Sequence, residues 1–299
     1  LDRWARAVTD RTVGLSLSGG GAWGFYHYVA LKRLVREKKV PIDVITSASV
    51  GSAVGAYFCA RGVDGLEAFK ALCTRKPFNL DLVSLASIIS TRSLEYVINR
   101  ELGAVQLHQL STRFHPVTTD LGTGDSVVIE SGSIGLAVRA SGSAPGVWGP
   151  TLVDTPQGLS RYVDGCVADN LPASVLPALG ADLTMAINCF PHGLRESTPP
   201  PRSRFRKFLH EINPVARVLD LVASGSLMLH VSGDFEGAIA DVYFDIGQES
   251  EPLLRSAAFM QADEFIKKAE DCVRLNKCVD ELAHRWSAMV RRRPDEVVS

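Results

Sequence analysis

Short apolar runs that end in turn residues alternate with amphipathic stretches through the first two thirds of the chain. Val13–Ser18 is apolar enough for a central strand, and Gly19–Gly21 break it. From Trp23 the spacing becomes helical. Leu31, Leu34 and Val35 share one face, while Lys32, Arg33, Arg36 and Glu37 lie on the other. Pro41 closes that unit. Val44 and Ile45 open a second strand, which runs into the tight turn Ser47-Ala-Ser49-Val-Gly51. Residues 51–56 then start a helix whose small side chains let it pack close to a sheet.

Residues 60–112 read as helices and loops. Phe114–Thr118 and Val127–Ile129 predict two strands joined by the turn-rich segment 121–125. A helix is predicted over Ile134–Ala140, and a strand over Arg161–Val163 that leads into Asp164-Gly165. Ala173–Leu179 reads as a short helix and Leu183–Asn188 as another strand. This alternation predicts an α/β protein, a three-layer α/β/α sandwich with a mainly parallel central sheet.

Residues 191–207 differ in character. They hold Pro199-Pro-Pro201 and then Arg202, Arg204, Arg206 and Lys207. A solvated surface loop is the favoured reading, and a phosphate-facing patch is the alternative. Helical stretches follow near 214–231 and 256–287. In the second, Phe259, Ala262, Ile266, Ala269 and Val273 form one apolar stripe, as expected of a face docked on a core. The whole span 1–299 is read as one domain. Its core covers about 8–190, with the surface loop at 191–207 and a helical part at 208–299.

The bulk numbers narrow the function. A net charge of −1 gives no global bias toward nucleic acid. The uncharged stretch Val44–Ala60 is rich in small residues and Ser, which suits a strand, turn and helix better than a membrane span. The six cysteines (Cys59, Cys73, Cys166, Cys189, Cys272, Cys278) form no Cys-x-x-Cys pair. They read as reduced thiols, which predicts a reducing, cytoplasmic compartment. The seven histidines lack metal-ligand spacing, so no metal site is expected. The first residue is Leu1, not Met, so the chain is expected to be part of a longer or processed protein, and no signal peptide is expected in it.

Two motifs carry chemistry. Gly19-Gly-Gly-Ala-Trp-Gly24 satisfies the Gly-x-Gly-x-x-Gly pattern of dinucleotide sites, and Asp43 lies nearly twenty residues on. Asp43 precedes the apolar part of the second strand, however, where a ribose-binding acid would follow it. The end of that strand is taken by the serine turn. The turn is a variant of the nucleophile elbow Gly-x-Ser-x-Gly, with Ser49 at its tip, Gly51 in place and Ser47 where a glycine is usual. Beside a serine nucleophile, a glycine turn offers bare backbone N–H groups for an oxyanion hole, here Gly19, Gly20 and Gly21. A proton acceptor is then needed. His192, His210, His230 and His284 are formal candidates without a recognisable local setting. Asp164, followed by Gly165 at a strand end, is placed like a catalytic group, and a plain Asp-Gly turn is the equal alternative.

These residues resemble a known family. Ser18–Gly24 is similar to the oxyanion motif of patatin-like phospholipases of the bacterial and neuropathy-target-esterase type. Ile45–Gly51 resembles the family's nucleophile elbow, Arg139–Gly146 the stretch before its acid, and Tyr162–Pro172 the segment that carries the acid. Phe259–Phe265 is similar to its C-terminal helix, so the resemblance covers roughly 8–280 in one order. It implies a Ser49–Asp164 dyad without histidine, an acyl-Ser49 intermediate, and an oxyanion held by the amides of Gly20 and Gly21. It also implies phospholipid, lysophospholipid or related fatty acyl ester substrates, and neither a metal nor an organic cofactor. Two positions depart from the pattern. Trp23 stands where the family has Arg or Lys, and Ser47 replaces the first glycine of the elbow. These departures motivate a competing reading, a lipid-binding or scaffolding module that has lost turnover; an acyltransferase is a third reading, since it shares the acyl-enzyme step with hydrolysis. Membrane contact is expected to be peripheral. Its candidate surfaces are the 202–207 cluster and the apolar segment 77–90, which reads better as a helix packed in the core. No nucleic-acid partner is expected. Head group, acyl length and oligomeric state stay open.

Overall fold

A computed structural model describes residues 2–74, 92–145, 148–156, 158–190, 236–247 and 258–291. The readings of 77–90, 191–207 and 214–231, with His192, His210 and His230, lie outside the described residues.

The chain opens with helix α1 (Asp2–Val8) and strand β1 (Val13–Leu17). The glycine turn leads through a 3₁₀ turn into α2 (Phe25–Lys32), which ends in a π-helical turn at Arg33–Glu37. Strand β2 (Val44–Ser47) meets α3 (Val50–Thr74) at the serine turn, and α3 is kinked at Gly62. Helix α4 (Arg92–Leu102), strands β3 (Arg113–Asp120) and β4 (Ser126–Val128) and helix α5 (Ile134–Ser141) follow. A hairpin of β5 (Thr151–Thr155) and β6 (Gly158–Asp164) precedes the short α6 (Val175–Ala178). Strands β7 (Leu183–Asn188) and β8 (Val242–Asp245) and helices α7 (Ala262–Asp271) and α8 (Val273–Arg291) complete it.

All eight strands join one sheet in the order β5-β6-β3-β2-β1-β7-β8, with β4 beside β3. The run β3-β2-β1-β7-β8 is parallel. The β5, β6 and β4 edge is antiparallel. Every residue of β1, β2 and β7 is buried, because helices and loops cover both faces. The sandwich with a mainly parallel sheet is therefore the observed architecture.

The larger core lies between the sheet and α2, α3, α5, α7 and α8, around Leu15, Leu17, Trp23, Phe114, Ile187 and Phe265. On the opposite face Gly14 admits α6 closely. A Cβ there would lie 2.7 Å from the Ala181 Cβ and 3.0 Å from a Leu176 methyl.

Three expectations change. The span 208–299 is not purely helical, since β8 extends the sheet beside β7. The 256–287 stretch is two helices, because Cys272 is extended between α7 and α8. The apolar stripe accordingly ends at Ala269. Ala262, Ile266 and Ala269 are buried, but Val273, beyond the break, is 64% exposed. Trp23 is fully buried, edge-on to Phe265 with ring centroids 4.9 Å apart, and Lys268 Nζ lies 5.6 Å from its ring. Its place as a packing residue for α7 explains an indole at this position. Among the described residues, no helix is long and apolar enough to cross a membrane.

Candidate active site

Parallel pairing brings the ends of β1 and β2 together, with Leu17 beside Ser47. Both motifs therefore open at the carboxyl edge of the sheet, where α/β proteins build their sites. Antiparallel β6 reaches the same edge from the other direction, so its last residue, Asp164, pairs with Thr118 near the end of β3.

The elbow is sharp. Ser49 is half-buried and sits at φ 52, in the left-handed region. Such a conformation costs a non-glycine residue about 1–3 kcal/mol and persists only when its surroundings enforce it. Here they do. The Ala48 amide donates to Leu17 O at 3.0 Å, and Ser49 O accepts the amide of Ser52 at 2.9 Å. The Ser49 amide itself donates to Ser141 O at 3.1 Å. Gly51 is obligatory, because a Cβ there would fall 2.3 Å from Leu17 O. Ser47 fits because its hydroxyl finds a partner, Ser52 Oγ at 2.9 Å.

The glycine turn is braced from below. Ser18 Oγ accepts the Cys189 amide at 2.8 Å, and Ser18 N donates to Ile187 O at 3.1 Å. His27 Nε2 lies 2.9 Å from Ser18 O. A carbonyl can only accept, so this nitrogen carries the proton. Burial lowers the His27 pKa to about 4, against the opposing pull of that hydrogen bond, so the ring is neutral. The sequence reading passed over His27, since a histidine on an apolar helical face gives no distinct signal. Gly20 (φ 150) and Gly21 (φ 60) follow. A Cβ on Gly20 would lie 2.8 Å from Cys189 O. The Gly19 amide is occupied by Asn170 Oδ1 at 3.0 Å. Those of Gly20 and Gly21 have no acceptor among the described residues.

Asp164 is 2% exposed. Its Oδ1 accepts the Cys166 amide at 2.9 Å, and its carbonyl accepts Thr119 Oγ1 at 3.0 Å. Gly165 lets the chain turn against β3, where a Cβ would lie 2.3 Å from Val117 O. The Ser49 side chain lies near enough to the Asp164 carboxyl to favour its ionised form. Burial raises the Asp164 pKa above the ordinary value, and hydrogen bonds from Cys166 and Ser49 hold it back. The Cys166 thiol donates to Asn170 Oδ1 at 2.9 Å and also contacts Ser49 and Asp164. Burial and the neighbouring carboxylate push its pKa well up, so it stands as a neutral thiol.

The expected residues Ser49, Asp164, Gly19, Gly20, Gly21, Ser47, Gly51 and Gly165 thus gather at one sheet edge. No histidine among the described residues contributes to the Asp164 environment, and His284 is exposed on α8. Asp43 lies at the other end of the sheet, buried, paired with Arg6 at 2.6 Å and accepting the Val13 amide at 3.1 Å. It cannot reach a ligand at the glycine turn, which removes the dinucleotide reading. No group of three or more His, Cys, Asp or Glu among the described residues could hold a metal ion.

The family model for patatin-like phospholipases matches residues 15–177, more than half of the chain, and the chain belongs to that family. The neuropathy target esterase of Drosophila melanogaster is 31% identical over 195 residues, covering 63% of this chain and 14% of that protein. An NTE family protein of Mycobacterium tuberculosis is 32% identical over 186 residues, 61% of this chain and 50% of that one. A lysophospholipase of Pyricularia oryzae is 34% identical over 194 residues, 62% of this chain and 12% of that one. The chain therefore corresponds to between 12% and 50% of the length of these relatives.

Proposed function

We propose that this chain is a serine lipid acyl hydrolase that cleaves fatty acyl esters of phospholipids or lysophospholipids through a Ser49–Asp164 dyad. The observation that carries the reading is the meeting of Ser49 and the buried Asp164 at one sheet edge, where the Ser49 side chain favours the ionised form of the carboxyl. Beside it lie two glycine amides without an acceptor among the described residues. Membership of the patatin-like family supports lipid acyl hydrolysis at the level of class.

In this reading Ser49 Oγ attacks the ester carbonyl while its proton passes to Asp164. The tetrahedral oxyanion is received by the amides of Gly20 and Gly21. The N-terminus of α3, which begins at Val50, adds its dipole. One such donor is worth about 3 kcal/mol in the barrier. Collapse returns the proton to the leaving alcohol and leaves acyl-Ser49. Asp164 then takes a proton from water, which attacks the acyl carbonyl; collapse passes that proton to Ser49 Oγ as the acyl–oxygen bond breaks, freeing the fatty acid and restoring both residues. All proton traffic runs through this chain's own residues. Substrate reaches the site by peripheral contact with a membrane from a cytoplasmic, reducing compartment.

Ser49→Ala is expected to abolish fatty acid release while the far-ultraviolet circular dichroism stays that of the parent. Undiminished turnover in that variant removes the reading. A fluorophosphonate separates it from a lipid-binding module without turnover, because a competent elbow is labelled and an inert one is not. Addition of lysolipid acceptors separates hydrolysis from acyl transfer.

A further inference from the structure

Both members of the proposed dyad hang on one short piece of main chain. The Ser49 amide donates to Ser141 O and also to Ser141 Oγ, each at 3.1 Å. Two residues further on, Ser143 O accepts the Asp164 amide at 3.0 Å. The segment Ser141–Gly142–Ser143, at the end of α5, therefore touches nucleophile and acid at once.

The segment is itself pinned. Gly142 N donates to Val138 O at 2.9 Å. Ser143 Oγ donates to Arg139 O at 2.8 Å and lies 2.9 Å from Thr151 Oγ1. Thr118 Oγ1, on β3, donates to Ala140 O at 3.2 Å. Behind Ser141 runs a line of hydroxyls, with Ser141 Oγ 2.7 Å from Ser52 Oγ and Ser52 Oγ 2.9 Å from Ser47 Oγ. All three serines are fully buried, so each hydroxyl depends on its neighbours for hydrogen bonds. The line starts at Ser47, the residue that departs from the elbow pattern, and ends on the amide of the left-handed Ser49.

We infer that Ser141 is a positioning residue for the dyad. Its carbonyl and hydroxyl, backed by Ser52 and Ser47, fix Ser49 against the same main chain that fixes Asp164. This rests on the hydrolase reading above. A separation set by one pinned tripeptide does not drift when substrate binds, and small misplacements of reacting groups are costly.

The test is the rate at which a long-chain fluorophosphonate labels the full chain, measured well below the unfolding temperature, together with kcat and KM for a fatty acyl ester. Ser141→Ala keeps the carbonyl and loses the hydroxyl. Labelling and kcat are expected to fall about tenfold or more with KM unchanged. Ser52→Ala removes only the support behind Ser141 and is expected to slow labelling several-fold, and it decides the matter if Ser141→Ala does not fold. Folded variants that lose melting temperature yet label at the parent rate overturn the inference alone. A parent protein that the probe leaves unlabelled overturns the hydrolase reading and the inference with it.

Discussion

The Gly19 amide and the Asn170 side chain are hydrogen-bonded at 3.0 Å across 151 positions of the chain. That bond joins the glycine turn to the segment carrying the acid. It also takes Gly19 out of the set of free donors, which leaves Gly20 and Gly21 as the amides of the turn without an acceptor among the described residues. Asn170 is fully buried, and its Oδ1 serves Gly19 and Cys166 together. Asn170→Ala strands a buried amide, at a cost of about 1–3 kcal/mol. Thermal unfolding should show that loss, and ester turnover should fall further than the stability change accounts for.

Gly20→Ala tests the turn directly. At φ 150 a side chain is strained, and its Cβ would press on Cys189 O at 2.8 Å. The turn must shift to relieve the contact, and the proposed oxyanion donors shift with it. A fall in kcat of about a hundredfold is expected. Parent-like turnover in a folded Gly20→Ala protein would place the oxyanion elsewhere.

In the proposed mechanism the buried carboxyl sets the acidic limb of the pH profile. There Asp164 works as a base only when ionised, and burial raises its pKa. Activity should therefore fall, as pH drops, at a higher pH than an ordinary aspartate would give. Asp164→Asn removes the base and should cut kcat by about 10²–10⁴-fold above that limb, the gap to the parent narrowing as pH falls through it. Steady-state rates across the acidic range check both points.

Asp169 predicts a separate effect on stability. Burial, with Glu236 nearby, raises its pKa to about 7 in the folded chain. The unfolded chain titrates near the ordinary aspartate value, so the native state binds the extra proton between about pH 4 and 7. Stability contributed by the protonated form is full below that window and is lost as pH rises through it. Asp169→Asn keeps an acceptor for the Leu171 amide and removes the ionisation. It should raise stability at pH 8 by on the order of a few kcal/mol and flatten the profile. Denaturant unfolding at pH 5 and pH 8 measures the difference.

The central strands and the elbow were legible because their signals are local. Val13–Leu17 and Val44–Ser47 are buried along their whole length, and short uncharged runs of apolar and small residues mark them. Each such run stops at residues that only a tight turn tolerates. The β5–β6 hairpin was read only in part. Leu152 and Leu159 face solvent there, 53% and 63% exposed, so apolar content does not track burial along it. The parts that hold the site in place were hidden for another reason. Asn170 and Ser141 act through partners distant in sequence and His27 through Ser18, nine positions back, and nothing near them states which carbonyl or amide they will meet. Trp23 read as the loss of a cation near the turn, whereas its ring is the seat for Phe265 on α7.

The bracing of Ser18 also bears on how the gene can be cut. Strand β7 lies along all of β1, and Ile187 and Cys189 hold the residue just before the glycine turn. An expression fragment stopped at residue 177, where the family match ends, would keep every reacting group and lose the wall behind them. Such a fragment should be insoluble or inert, and the shortest workable one has to run past β8.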